Sequence, residues 1–181
     1  MIELLAATFS LTSVFLTAKK NKLCWLVGIL GIIGYSILFY QKSEWSNFSL
    51  QFIFLIQSIW GWVKWNEPEK EITSLNKESL FSLFIVSIFG FFAFDLVATE
   101  FYDNFTILDS VTSVLSLVAM VLLGFRKLES WLIWMVADII YIYFFFINSL
   151  YLSSGLYFIF LILSIYGYIN WKKQLKNNNY D

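Results

Sequence analysis

The sequence predicts an all-α integral membrane protein with seven transmembrane helices, and three observations indicate this fold class. First, 59% of the 181 residues are hydrophobic and 14% are charged, whereas a soluble domain needs charged residues over its whole surface. Second, the charges fall in clusters between apolar stretches, and a helix crosses a bilayer with about 20 apolar residues. Third, runs such as FSLFIVSIFGFFAF do not alternate in polarity, as the strands of a membrane barrel would.

The predicted spans follow directly from these apolar stretches. They cover residues 2–18, 23–40, 47–65, 80–98, 107–125, 131–147 and 151–171. Between the third and fourth spans, residues 66–78 hold the single proline of the chain and six charged residues. This polar segment is predicted to be a cytoplasmic linker.

The positions of the basic residues predict the orientation. If the N-terminus lies outside, Lys42 is on the outer side and the other 11 of the 12 Lys and Arg residues are on the inner side. Basic residues are enriched in the cytoplasmic loops of membrane proteins. The sequence therefore predicts a multi-pass protein with its N-terminus outside and its C-terminus in the cytoplasm.

The chain repeats itself after 106 residues without a gap. LQFIFLIQSIWGWVKW (50–65) aligns with LYFIFLILSIYGYINW (156–171), and ten of the sixteen positions are identical. The same register aligns Trp25 with Trp131 and Tyr35 with Tyr141. Internal repeats of whole helices are typical of transporters, where the pathway lies between the two halves. The alternative is that duplication only produced a larger helix bundle.

The repeat predicts a three-plus-one-plus-three architecture with parallel repeats related by an axis along the membrane normal. Because three spans reverse the side of the membrane, a fourth span must return the chain before the second repeat begins. The predicted units are a first three-helix repeat at 1–65, the linker with its linking helix at 66–106, a second repeat at 107–171 and a cytoplasmic tail at 172–181.

The candidate site centres on Asp138, near the middle of the sixth span. An aspartate there costs about 2.5–3.5 kcal/mol and nearly always faces a bundle interior or a wet cavity. Helical spacing puts Trp131, Trp134, Asp138 and Tyr141 on one face. A carboxylate beside indole rings suits a flat cationic ring. The alternatives are an interfacial belt for the two Trp residues and a structural hydrogen bond for Asp138.

The third and seventh spans add further candidates, because polar residues recur on one face of both. Ser58 and Trp62 in the first copy match Ser164 and Tyr168 in the second. Gln57, on a neighbouring face, occurs only in the first copy. Tyr35, the partner of Tyr141 in the repeat, completes the predicted substrate-binding set. The alternative for these residues is polar contact between helices.

Several kinds of chemistry have no residues to support them. The chain has no histidine, so a proton relay, a Ser-His pair and a histidine metal site are disfavoured. The nucleotide-binding pattern G-x-x-x-x-G-K-[ST] does not occur. We therefore predict no enzymatic activity, no cofactor, no bound metal ion and no nucleic-acid partner. Passive or weakly coupled transport of a small molecule is the favoured mechanism.

The motif W-x-x-W at 131–134, the following Asp138 and the ending INSLYLSSGLYFIFLILSIYGYINWKK resemble the PnuC family of bacterial vitamin transporters. The arrangement is also similar to that of the SWEET sugar transporters. The PnuC resemblance implies facilitated diffusion of an unphosphorylated vitamin precursor across the bacterial inner membrane. It also implies a homotrimer embedded in lipid, with Trp131 and Trp134 in the substrate site.

The vitamin itself stays open at this point. Nicotinamide riboside carries a pyridinium ring and thiamine a thiazolium ring, and both are flat cations that Asp138 could neutralise. Nicotinamide riboside is the first prediction because it is the commoner substrate of the family that the chain resembles, and thiamine is the alternative. A membrane scaffold without transport activity is a further alternative from a different class.

Overall fold

Seven α-helices make up the computed structural model, which describes residues 1–66, 71–101 and 106–178. The helices are α1 (Ile2–Ala18), α2 (Leu23–Gln41), α3 (Trp45–Asn66), α4 (Lys77–Phe101), α5 (Ile107–Gly124), α6 (Glu129–Ile147) and α7 (Tyr151–Asn178). The predicted all-α class and the seven helices are confirmed, and α7 continues beyond the predicted seventh span. Parts of the predicted linker (67–70), of the predicted linking unit (102–105) and of the predicted tail (179–181) lie outside the described residues.

Five of these helices, α2, α4, α5, α6 and α7, are long and apolar enough to cross a membrane by themselves. Helix α1 is also apolar but has 17 residues. Helix α3 has 22 residues, and polar side chains such as Gln51, Gln57 and Ser58 interrupt its apolar sequence. Large apolar side chains are exposed along the outer faces, including Phe89 and Leu96 of α4. Such a surface is stable in lipid, so the chain is a multi-pass membrane protein.

Six of the helices form a closed ring. Each of the pairs α1/α2, α2/α3, α3/α5, α5/α6, α6/α7 and α7/α1 is in contact. Helix α4 lies outside the ring and packs mainly on α5, where the Ser110 hydroxyl donates a hydrogen bond of 2.5 Å to the Asp95 carboxylate. The ring leaves an interior that is lined by helices on all sides.

Backbone geometry recurs at the 106-residue interval. Lys20 and Arg126 follow the first helix of each half with φ of 58° and 55°. Ser43 and Ser149 follow the second helix of each half with φ of 57° and 60°. Residues in this left-handed region end helices and satisfy their last carbonyl groups. The turns after the first and second helices of one half therefore have the same backbone conformation as the corresponding turns of the other half.

Four indole rings fill one end of the ring, which we call the tryptophan end. Trp25 and Trp65 meet edge to face at 5.6 Å, Trp131 and Trp171 do so at 5.5 Å, and Trp65 and Trp171 join the two pairs at 6.2 Å. All four side chains are buried. Aromatic contacts of this kind add about 0.5–1.5 kcal/mol each beyond their burial.

Equivalent contacts hold the four rings in place. A Cβ atom on Gly61 would lie 2.5 Å from the Trp25 ring, and one on Gly167 would lie 2.6 Å from the Trp131 ring. The absence of a side chain at both glycines is what lets the indoles lie flat on α3 and α7. The Trp65 indole N–H points at the carbonyl oxygens of α5, 3.3 Å from Leu123 and 3.2 Å from Gly124.

The seventh helix makes the matching bond to the first. The Trp171 indole N–H donates to the Thr17 carbonyl at 3.2 Å, and Thr17 is the residue that the repeat aligns with Leu123. Each of these bonds joins helices from different halves of the chain. The tryptophan end is thereby tied together across both places where the halves meet.

A short extended segment crosses the tryptophan end before α4 begins, and we call residues 71–76 the strap. The Thr73 N–H donates to the Arg126 carbonyl at 3.2 Å, and the Leu128 N–H donates to the Thr73 carbonyl at 2.9 Å. The Glu129 carboxylate accepts from the Leu75 N–H at 3.0 Å and from the Ser74 hydroxyl. The strap also inserts Ile72, which is 1% exposed, among the indole rings.

Candidate functional site

A cavity of about 1180 Å³ occupies the interior of the ring, and Phe94, Val97 and Ala98 of α4 also belong to its lining. Its floor is formed at the tryptophan end by Trp25 and Trp131. Its rim is formed at the opposite end, the turn end, by residues such as Lys42 and Ser149 in the turns after α2 and α6. This volume exceeds what a vitamin-sized molecule needs, since sites for small ligands measure about 300–1,000 Å³.

Asp138 lines this cavity and is 3% exposed. The Ser164 hydroxyl of α7 donates a hydrogen bond of 3.0 Å to Asp138 Oδ2. The other oxygen, Oδ1, makes no hydrogen bond within the described part of the chain. A carboxylate has about four acceptor positions, so most of its capacity is left for a ligand or water. The structural hydrogen bond and the facing of a cavity, which the sequence offered as alternatives, both occur.

An aromatic wall continues from Asp138 toward the turn end. Tyr141 and Tyr157 stack with ring centroids 4.4 Å apart, and Phe145 stacks against both. On the other half, Tyr35 stacks on Phe39 at 5.9 Å, the same distance as between Tyr141 and Phe145. Stacked rings of this kind form a flat, apolar surface against which a planar solute can lie.

The structure brings most of the predicted site residues together. Seven of the ten line the cavity: Tyr35, Ser58, Trp131, Trp134, Asp138, Tyr141 and Ser164. They come from four helices, α2, α3, α6 and α7. Trp131 forms part of the floor and is 1% exposed, and its indole N–H has no hydrogen-bond partner among the residues that the structure describes. The interfacial belt, an alternative for the two Trp residues, does not describe Trp131, which is inside the ring.

The other three predicted residues lie outside the cavity lining. The Gln57 amide donates to the Leu117 carbonyl of α5 at 3.1 Å, so it joins two helices. Trp62 and Tyr168 pack against the tryptophan end. The ammonium groups of Lys22 and Lys172 lie over these two rings, at 5.5 Å and 5.3 Å from the centroids.

Sequence reasoning missed a set of hydroxyl groups on the first helix of each half. The cavity lining includes Ser10, Ser13 and Thr17 of α1 and Thr112, Ser113 and Ser116 of α5. It also missed Trp25, which forms the floor together with Trp131 and whose indole N–H likewise has no partner in the described part of the chain. The 106-residue register contained a signal for both, because it aligns Ser10 with Ser116 and Trp25 with Trp131.

Acidic groups outnumber basic groups around the cavity. Among the described residues, its lining contains Glu3, Glu44, Asp109 and Asp138 and a single basic residue, Lys42. A cleft lined by one sign of charge concentrates ions of the opposite sign. Within the described residues, no group of three or more His, Cys, Asp or Glu side chains could hold a metal ion. The charge of the lining favours a cationic ligand over an anionic one.

Comparisons with known proteins agree with this geometry. A sequence model described as nicotinamide mononucleotide transporter matches residues 1–173. The nicotinamide riboside transporter PnuC of Escherichia coli (strain K12) is 25% identical over 94% of this chain and 84% of its own length. PnuC of Haemophilus influenzae is 29% identical over 59% of this chain and 46% of its own length.

A solved structure shows the same fold. The crystal structure of the vitamin B3 transporter PnuC superposes on this chain with a TM-score of 0.85 and a sequence identity of 22%. The match covers 97% of this chain and 82% of the chain in that crystal structure. The family model extends over nearly all of the helical ring that encloses the cavity. The chain is therefore a member of the nicotinamide mononucleotide transporter family, to which the PnuC vitamin transporters belong.

Proposed function

We propose that this protein mediates facilitated uptake of nicotinamide riboside across the bacterial inner membrane. The single observation that carries the proposal is the buried Asp138 carboxylate, which lines the cavity and has one oxygen without a partner among the described residues. A charge at this depth is stable only beside a compensating group. The pyridinium ring of nicotinamide riboside supplies that positive charge.

The aromatic residues support the same substrate. Trp131 and Trp134 lie on the same helix as Asp138 and line the same cavity. A cation over an indole face gains about 0.5–1 kcal/mol when exposed and about 2 kcal/mol or more when desolvated. The proposed contacts are the seven predicted residues of the lining, and Gln57, Trp62 and Tyr168 are left out because they lie behind it.

The recurring contacts support an architecture of two parallel three-helix repeats, α1–α3 and α5–α7, with α4 as the linking helix. Helices α1 and α3 then also cross the membrane, because they complete the ring with the five apolar helices. The predicted orientation, with the N-terminus outside, places the turn end outside and the tryptophan end in the cytoplasm. A trimer remains an expectation from the family resemblance.

In this orientation the structure corresponds to an outward-facing state. The cavity extends to the exposed turn end, and the four buried indoles and the strap close the cytoplasmic side. Transport then requires the tryptophan end to open while the turn end closes around the solute. The transport that we propose is passive, so the solute moves down its own gradient.

Uptake by purified protein in liposomes tests the proposal. We expect saturable uptake of nicotinamide riboside, and we expect Asp138→Asn to weaken its binding about tenfold, which corresponds to about 1.4 kcal/mol. Asn keeps the shape and the bond from Ser164 but removes the charge. The matched control is Ser36→Ala on α2, because the Ser36 hydroxyl bonds to the Ile32 carbonyl at 2.8 Å and lies outside the lining.

Three results would count against the proposal. Equal uptake by the Asp138→Asn variant would remove the carboxylate from the site. Uptake of thiamine in place of nicotinamide riboside would assign the alternative vitamin to the same site. Absence of flux and of any ligand-dependent rise in melting temperature would favour a scaffold, since a ligand that binds the folded state stabilises it.

A further inference from the structure

Four serines line the cavity together with Asp138. The 106-residue register pairs Ser10 with Ser116 and Ser58 with Ser164, and all four belong to the lining. They come from the first and third helices of each half. Because Asp138 is aligned with Ile32, both halves contribute these hydroxyl groups but only the second half contributes this carboxylate.

Two of these hydroxyl groups face the cavity without a protein partner. The side chains of Ser58 and Ser116 are 2% and 4% exposed, and neither makes a hydrogen bond within the described part of the chain. Ser164, in contrast, donates to Asp138. A ligand that displaces water from the cavity must bond these hydroxyls itself, because a buried hydroxyl left without a partner costs about 1–3 kcal/mol.

A serine or threonine hydroxyl in a helix commonly donates a hydrogen bond to a carbonyl of its own helix, and this bond is absent at Ser58 and Ser116. Ser36, Ser87 and Thr112 each donate to the carbonyl four residues earlier, at 2.7 to 2.9 Å. Ser58 and Ser116 have the same local option, but their hydroxyl groups make no such bond. Since both residues line the cavity, their free hydroxyls are available to whatever occupies it.

The hydroxyls and the carboxylate belong to different parts of the ring. Asp138 and its partner Ser164 are on α6 and α7, Ser116 is on α5 and Ser58 is on α3. Helix α5 lies between α3 and α6 in the ring. A solute held with its charge at Asp138 can therefore meet Ser116 on the neighbouring helix and Ser58 on the next. The two sides of the cavity favour two chemically different ends of one molecule.

We propose that Ser58 and Ser116, with Ser10 beside them, form a subsite for the neutral, hydroxyl-bearing part of the substrate. The inference rests on the proposed function and deepens it. The site then selects a cationic heteroaromatic ring that is joined to a sugar, not any flat cation. Nicotinamide riboside has this chemistry, whereas thiamine carries a single hydroxyl on a short chain.

The size of the selectivity follows from the same hydrogen bonds. A site that is built to bond a substrate hydroxyl discriminates strongly against an analogue that lacks it, because its own buried polar groups then remain unpaired. N-methylnicotinamide, methylated on the ring nitrogen, has the same pyridinium ring and carboxamide but no ribose. We expect the wild-type protein to bind nicotinamide riboside at least tenfold more tightly than N-methylnicotinamide.

The experiment measures the dissociation constants of both compounds for the wild-type protein and four variants in detergent. Ser58→Ala and Ser116→Ala should each weaken riboside binding about three- to tenfold and leave N-methylnicotinamide binding unchanged. Asp138→Asn should weaken the binding of both compounds. Ser36→Ala should change neither, since its hydroxyl bonds only to its own helix. Melting temperatures of all variants check that each is folded.

The outcomes separate the subsite from the proposed function. If the wild-type protein binds the riboside but the two serine variants match it, or lose affinity for both compounds equally, the subsite is wrong and the transport proposal stands. If the wild-type protein binds neither compound, the proposed function fails first. Serine variants that weaken the riboside alone would establish the subsite.

Discussion

Helices α1–α3 and helices α5–α7 have the same turns and the same indole contacts, but they differ in the side chains that they direct at the cavity. Both halves have a left-handed residue after their first two helices, an indole lying on a glycine and an indole N–H bound to a carbonyl of the other half. Yet the position of Asp138 in one half is Ile32 in the other. The shared features fix the shape of the cavity, and under the proposed function the divergent positions decide what it binds.

The two halves are also covered differently at the tryptophan end. The turn between α5 and α6 pairs with the strap through Thr73. The corresponding turn between α1 and α2 instead meets side chains of the third and seventh helices: Lys22 donates to Asn66 at 2.9 Å, and Asn170 donates to the Ala18 carbonyl at 2.7 Å. Closure of this end is therefore asymmetric, although the indole cluster that it covers repeats in both halves.

The largest loss of stability is expected from Ile72→Ala, which tests whether the strap belongs to the buried core of the tryptophan end. Ile72 is 1% exposed and packs among the indoles, and removing a buried side chain of this size costs about 2–5 kcal/mol. Unfolding in mild detergent measures the loss. Leu96→Ala on the exposed face of α4 is the control and should cost less than about 1 kcal/mol. Equal costs would mean that the strap is not part of the core.

A smaller pair of effects tests whether the halves are equivalent. Gly61→Ala and Gly167→Ala each place a methyl group within 2.6 Å of an indole ring, and overpacking of this kind costs about 1–3 kcal/mol. We expect the two costs to agree within about 0.5 kcal/mol. Gly155→Ala is the control, because a Cβ there meets nothing within 4 Å and Ala favours a helix by about 1 kcal/mol. Clearly unequal losses at 61 and 167 would break the comparison.

The smallest effect is expected from exchanging Asp138 and Ile32, the aligned residues that differ between the halves. It amounts to about tenfold in substrate affinity, or about 1.4 kcal/mol. Asp138→Ile should reduce nicotinamide riboside binding by that factor, and adding Ile32→Asp should restore part of it. Ser58 is placed to bond the new carboxylate as Ser164 bonds Asp138, since both pairs are separated by 26 residues. Dissociation constants of nicotinamide riboside for the single and double variants test this predicted loss and recovery.

The control for this exchange is Ile33→Asp in the Asp138→Ile background. Ile33 is 48% exposed on the outer face of α2, so a carboxylate there faces lipid and should recover no binding. Recovery with Ile33→Asp, or none with Ile32→Asp, would show that the two halves do not present equivalent positions to the cavity.

Much of the fold follows from local properties of the chain. Apolar length determines the helices, because a bilayer admits little else. The matching of residues 50–65 with 156–171 indicates which positions are equivalent, and the energetic cost of a carboxylate in lipid marks Asp138 as an inward-facing residue. These three inferences need no knowledge of how the helices meet.

Which residues of a helix reach the cavity cannot be inferred in this way from the sequence. Gln57 and Ser58 are neighbours in the sequence, yet Ser58 lines the cavity while Gln57 bonds to α5. Trp62 lies on the same face as Ser58 but four residues farther along, about 6 Å toward the tryptophan end, where Trp25 forms the floor. Helical periodicity gives the face but not the depth at which a cavity ends.

By itself, the sequence determined the seven helices, the 106-residue register of similar segments and the buried charge, since each depends on contacts between a segment and its solvent or on matching along the chain. Only the tertiary structure decided which hydroxyls line the cavity, that Trp25 joins Trp131 at the floor and that the strap pairs with the turn between α5 and α6. These properties depend on which helices become neighbours in the ring, and that choice minimises the free energy of the whole assembly, not of any one segment.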